Sequence, residues 1–254
     1  MIEKERQVLI MEKIRRSGFV SVRELMKELN ASRSSIMRDL ARLEESGLLK
    51  REHGGASLPE LNALLSKKTE PAVFEKESLH AEEKRRIAMA ASSLVRDGSL
   101  VFADTGTTAA CLAEALKDRD VSIVTPSVYF IRRLERDAKC TVYLLGGQYD
   151  CKYDMNAGEY AMAMLDCYRF DTAFLSASAI DLSGGDVMAA DFSLAAMKQA
   201  VMKQSRKNIL LADASKFGCL AACTFAKVSD FKKIYTSETK RSDLSENIII
   251  VKEK

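Results

Sequence analysis

At 254 residues, with 47% hydrophobic and 30% charged residues, the chain has room for one large domain or a small one beside a larger one. Its composition excludes a disordered or fibrous class. No apolar run approaches the ~18 residues of a membrane span, and the charged start "MIEKERQVLIMEKIRRSG" has no signal-peptide core, so a cytoplasmic protein with no membrane partner is expected. The net charge of +3 is local: residues 1–57 hold 12 Lys and Arg against 9 Asp and Glu, and the remainder is balanced.

The opening segment reads as three helices and a hairpin. Val8, Ile10, Met11 and Ile14 line one side of a first helix that stops at Ser17-Gly18. A short second helix starts at Ser21, with Glu24 at capping-box spacing and Leu25 and Leu29 on its buried face. In "SRSSIMRDLARLEESG", Ser32 is the expected N-cap and Ile36, Leu40 and Leu43 form one stripe. The opposite side presents Ser34, Arg38 and Arg42, with Arg33, Ser35 and Met37 on the flanks. Arginine reaches guanine edges or phosphates and hydroxyls hold backbone phosphates, so this face suits a DNA major groove. After Gly47, "LLKREHGGASL" predicts a hairpin wing turning at Gly54-Gly55 and carrying Lys50, Arg51 and His53. On pattern alone, a three-helix interaction module with solvated charges also fits.

The order "SVRELMKELNASRSSIMRDLARLEESGLLKREHGGA" resembles the N-terminal signature of the DeoR family of bacterial transcriptional regulators. Ser32, Ile36, Arg38, Asp39, Leu40, Leu43, Glu44, Gly47 and the run His53 to Ala56 match it. Ser35 stands where the family usually has Thr, and Met37 where it usually has Arg, which removes one cation from the DNA-facing flank. The resemblance implies a winged helix-turn-helix domain over residues 1–57 that binds double-stranded operator DNA.

Residues 58–76, with Pro59 and Pro71, read as a linker. From 77 to 254 short apolar strands alternate with helices, which predicts a mostly parallel α/β sheet covered on both faces, with ligands at the carboxyl ends of its strands. Four strand ends carry polar or small residues: "ADTGTT", "TPS", "LLGGQYD" and "LADASKFG". The first is the strongest candidate for a phosphate. Gly106 lets the backbone approach, Thr105, Thr107 and Thr108 offer hydroxyls, and a helix N-terminus would add free amides. Lys198 and Lys216 are candidate cationic partners. A capped strand–helix turn with no ligand explains the same stretch. Six cysteines (Cys111, Cys140, Cys151, Cys167, Cys219, Cys223) show no CxxC spacing and read as free thiols, so neither a metal nor a cofactor is expected.

The DeoR resemblance extends over this second region, through Lys84 before Ile87-Ala88, Asp104 to Thr108, Gly146-Gly147, Gly158, Asp171, Lys198, and Asp213 with Ser215-Lys216-Phe217. It implies a sensor domain like the sugar-phosphate isomerases, binding a phosphorylated sugar or related metabolite and releasing DNA. By the resemblance, Asp104 would bond sugar hydroxyls, Gly106 to Thr108 would hold phosphate, and Lys198 and Lys216 would neutralise or position the ligand, with Gly146, Gly147 and Asp213 in the same site. Pro126, Ser176, Ala179 and Leu194 depart from the family pattern where the ligand should sit.

Three functions are compatible with these features: a repressor of a carbohydrate operon responsive to a sugar phosphate, a DNA-binding protein whose sensor only oligomerises, and an isomerase-like enzyme. The enzyme is disfavoured because no histidine is expected in the second domain and no paired carboxylates stand out at a second strand end. Two heads at half-site spacing imply a homo-oligomer, dimer or tetramer, and a ligand favouring misplaced heads would weaken DNA binding.

Overall fold

The computed structural model describes residues 3–17, 19–46, 48–52, 54–57, 71–239, 241 and 243–253. Gly18, Gly47, His53 of the wing and residues 58–70 of the linker, with Pro59, lie outside them.

The head packs α1 (Glu3–Ser17), α2 (Val22–Glu28) and α3 (Arg33–Glu45) over the wing strands β2 (Lys50–Glu52) and β3 (Gly55–Ser57). Ile10, Ile14, Leu25, Ile36 and Leu40 are fully buried between them. The expected capping box is present: Ser21 and Glu24 exchange bonds at the start of α2, and Ser32 caps α3. Val8 differs from its expected place. It is 57% exposed, because two residues before Ile10 on a 3.6-residue helix is nearly the opposite side. A strand the sequence pattern hides, β1 (Phe19–Ser21), completes the wing sheet by pairing with β3. Gly55 is required at that crossing, where a side chain would overlap the Val20 carbonyl and the Phe19 ring. Asp39, buried in α3, ties α1 down: Arg6 Nη2 donates to its Oδ1 at 3.1 Å and Nε to its Oδ2.

In the second domain seven strands run parallel in the order β15–β14–β12–β9–β4–β5–β6. They are β4 (Leu100–Ala103), β5 (Ser122–Thr125), β6 (Thr141–Leu144), β9 (Thr172–Ser176), β12 (Asn208–Leu211), β14 (Lys233–Thr236) and β15 (Ile248–Ile250). Alternation sends neighbours to opposite faces. Phe102 points into one core with Phe170 and Leu210; Val101 and Ala103 point into the other with Ile123 and Ile209. α4 (Ala81–Ser92), α5 (Thr107–Ala110), α6 (Leu112–Leu116) and α7 (Val128–Arg132) cover the second face; α8 (Glu159–Leu165) and α9 (Phe192–Lys203) cover the first.

The chain runs outward from β4 to β5 and β6, then returns to place β9 on the other side of β4. That reversal opens a crevice at the carboxyl ends of β4 and β9, where ligands of open α/β sheets bind. Two antiparallel additions escape the sequence pattern: a hairpin of β7 (Gln148–Asp150) and β8 (Met155–Ala157), and a sheet of β10 (Ala179–Asp181), β11 (Asp186–Ala189) and β13 (Cys223–Lys227). Residues 71–76, read as linker, pack on this domain: Val73 is buried and its amide donates to the Lys152 carbonyl at 2.9 Å. Among the described residues no helix is long and apolar enough to cross a membrane.

Candidate functional site

The face expected to meet DNA belongs to α3. Ser32 Oγ accepts the Ser35 amide at 3.2 Å and lies 3.0 and 2.9 Å from the hydroxyls of Ser34 and Ser35, so a cluster of hydroxyls opens the helix. Ser34, Arg38 and Arg42 are exposed as the stripe requires, while Ser35 and Met37 are half-buried, Met37 against the head core. The cations differ in their freedom. Arg42 pairs with Glu3 of α1. Arg51 is turned toward Glu44, to which it donates its amide at 2.9 Å and its Nε at 2.5 Å. Those bonds, the amide's first, hold the Glu44 carboxyl below its ordinary value. Arg33 reaches Glu159 of the second domain. Arg38 and Lys50 are exposed and pair with no carboxylate among the described residues.

A second site lies in the β4–β9 crevice, a cavity of about 120 Å³. Asp104, Thr105, Thr107 and Thr108 leave β4 almost fully buried, and Gly106 passes so close to Ser176 at the end of β9 that a side chain there would overlap it. Asp104 Oδ2 accepts the Ser176 amide at 2.8 Å, the Ser176 hydroxyl at 2.6 Å and the Lys198 ammonium from α9. Burial alone would raise this carboxyl, but the Lys198 charge and these hydrogen bonds outweigh it and hold it below its ordinary value.

The opposite wall is cationic. Asp213 caps the 3₁₀ turn 214–216 by accepting the Ser215 amide at 3.1 Å, which brings Lys216 to the cavity. Lys84 enters from α4, only 4% exposed, donating to the Lys76 carbonyl at 2.6 Å. Burial pushes its ammonium down from the ordinary lysine value; Asp213 opposes this and Lys216 adds to it. Lys76 and His80 line the same wall.

The cavity therefore gathers Thr105 to Thr108, Lys198, Asp213 and Lys216, as the sequence pattern proposed; Asp104 does not line it, being bonded behind it to Ser176 and Lys198, and neither do Gly146 and Gly147. Those two serve the β6–β7 turn: the Gly146 amide meets Met164 Sδ at 3.1 Å, and Gly147, at φ 136°, passes the Ala157 carbonyl where a side chain would overlap. The "TPS" strand end also stays away, because Thr125 and Ser127 cap the backbone of α7. The helix after Gly106 has only four residues, so the lysines rather than a long helix dipole supply the positive charge. The resemblance marks Lys84 only as a landmark and not in the site, although a lysine on the apolar stripe with Ile87, Ala88 and Ala91 signals a buried cation. His80, which the sequence reading left out, stands before the first helix of the domain and lines the cavity, correcting the expectation of a site without histidine.

Residues 6–61 match the DeoR-like helix-turn-helix domain, and residues 79–238 the DeoR C-terminal sensor domain. The chain belongs to the DeoR family of transcriptional regulators. It is 36% identical to an uncharacterised helix-turn-helix regulator, FruR, of Bacillus subtilis, over 93% of this chain and 92% of that one. The glycerol-3-phosphate regulon repressor of Escherichia coli is 31% identical over 93% and 91%, and the lactose phosphotransferase system repressor of Staphylococcus aureus 32% over 99% and 100%. The DeoR-type chain thus joins a DNA-binding head to a sensor domain whose cavity sits at the switch point of its sheet.

Proposed function

We propose that this DeoR-family regulator is a cytoplasmic repressor of a carbohydrate operon, released from operator DNA when a phosphorylated sugar or related metabolite fills the β4–β9 cavity. One observation carries the reading: the hydroxyls of Thr105, Thr107 and Thr108 line one cavity together with the cations Lys84 and Lys216. That is the chemistry of a polyol bearing an anionic end. Two relatives named for glycerol 3-phosphate and lactose regulons agree with it. Residues 1–57 read DNA, 77–254 sense and oligomerise, and a dimer or tetramer sets the spacing of the heads.

The cavity suits sensing better than turnover. An isomerase base works best with a pKa near the working pH, whereas Asp104 is neutralised by Lys198 and held below its ordinary value. A second reading, a sensor that only oligomerises, draws on Ser176, whose hydroxyl and amide already occupy Asp104.

Fluorescence anisotropy on DNA from upstream of the gene and its neighbours, at fixed salt, tests both. Tight binding reversed by one sugar phosphate supports the sensor. Tight binding that no sugar phosphate reverses shifts the assignment to the second reading.

A further inference from the structure

Among the described residues, Phe192, Asp166 and Glu159 of the sensor meet the head. Phe192, the first residue of α9, stacks under Phe19 of β1 with ring centroids 4.9 Å apart and planes 11° from parallel. Asp166, just past α8, receives Arg23 Nη1 on both oxygens, at 2.8 and 2.6 Å. Glu159, the first residue of α8, pairs with Arg33 at the start of the DNA-reading helix. The same Glu159 borders a hollow of about 420 Å³ with Met37, Arg51 and Gly54. A carboxylate of the sensor therefore stands against the face assigned to DNA.

We propose that Glu159, Asp166 and Phe192 form a docking surface for the chain's own DNA-binding head, with Glu159 holding Arg33 in place of a backbone phosphate. The docked head is withheld from DNA. Both are anions with oxygen acceptors for a guanidinium, so the two partners compete for one cation.

The contact is built to open. Both ion pairs are solvent-exposed, with Arg23 73% and Arg33 54% accessible, and such pairs are individually weak. Beside them a cleft of about 870 Å³ stays open between the head and α9, next to the stacked phenylalanines. α9 also links this surface to the sensor cavity. Phe192 and Lys198 are six residues apart, about 9 Å along the helix axis, so a displacement of Lys198 moves the helix that supports the docked ring.

The test measures binding of the full chain to a mixed-sequence DNA duplex at low salt, where backbone phosphates dominate affinity. The double variant Glu159→Gln/Asp166→Asn removes both docking charges from exposed positions. If the docked form holds about nine-tenths of the population, this variant binds ~10-fold tighter. Unchanged or weaker binding, or no binding by either protein, overturns the proposal. A charge-reversal cycle separates docking from a general change in charge: Asp166→Arg tightens binding, and adding Arg23→Asp restores docking, so the double variant binds more weakly than the product of the single effects predicts. Effects that simply multiply show no coupling, and they overturn the proposal even where the first variant binds tighter.

Discussion

Asp104 and Lys198, 94 residues apart in the chain, meet as an ion pair with side chains only 3% and 5% exposed. Asp104 ends β4 and Lys198 projects from α9, so the pair bridges the sheet to a covering helix. The Ser176 hydroxyl lies 2.6 Å from the carboxylate and 3.2 Å from the ammonium, joining the end of β9 to both. The positive charge of Lys198 is spent on Asp104. In the proposed sensor, attraction for an incoming anion falls to Lys84 and Lys216.

Removing one member of such a pair strands the other. Asp104→Asn is expected to destabilise the sensor by about 3–5 kcal/mol, whereas Asp104→Asn/Lys198→Met recovers most of the loss, both read from urea unfolding. The pH dependence follows from the carboxyl's depressed value. Its contribution is fully present above the ordinary value of 3.8 and is lost progressively as pH falls from there through the folded value. Asp104→Asn should therefore show a shallower loss of stability in acid than the parent. An equal slope would remove Asp104 from the account.

Lys84 makes the effector response sensitive to alkali. Because burial lowers its ammonium, it loses its proton at a lower pH than an ordinary lysine, 10.5. Affinity for a sugar phosphate is then highest where Lys84 is charged and the phosphate is dianionic, above about pH 6, and falls as pH rises through the lowered lysine value. Lys84→Arg, which keeps its charge, should flatten that alkaline fall, and Lys84→Gln should weaken binding about tenfold or more at neutral pH. Titration calorimetry across pH reads both. A parent profile flat up to pH 10.5 would exclude Lys84 from the site.

The parallel sheet was legible because its strands are short apolar runs between helical periods, and the head because Ser21–Glu24 and Ser32 write their caps in adjacent residues. β1, β7 and β8 have three residues each, too few to show alternation, and the partner of β1 lies more than thirty residues along the chain. The cavity was half legible for a related reason. The threonine strip is local, but Ser176 joins it because β9 falls beside β4, and Lys84 and His80 because α4 packs on α5 and α6; both are long-range facts. Gly146 and Gly147 show the converse, since a glycine required by a tight turn looks in sequence like one required by a ligand.

Arg38 is the central exposed cation of α3 and is free of carboxylate partners among the described residues. Arg38→Ala is expected to weaken operator binding by about 1–3 kcal/mol and to relax sequence preference, the loss of one base-edge or phosphate contact. Thermal unfolding should place its stability within about 0.5 kcal/mol of the parent, as for other exposed positions. Near-parental operator affinity at matched salt would mean that α3 is not the reading helix.

Thr107 separates sensing from DNA binding most directly. It is 8% exposed, stands beside Gly106 in the strip facing the lysines, and lies in the sensor rather than the head. Thr107→Asp places a carboxylate where the anionic end of the effector is proposed to rest. Two like charges ~4 Å apart at an effective dielectric of about 20 repel by about 4 kcal/mol, close to a thousandfold in affinity. The variant should therefore stay bound to operator DNA at sugar-phosphate concentrations that release the parent, with its affinity for DNA alone unchanged. Anisotropy with and without the effector gives both numbers. A variant released as readily as the parent would move the phosphate away from the β4 end, and a variant that also loses DNA would show that the substitution disturbs the fold rather than the site.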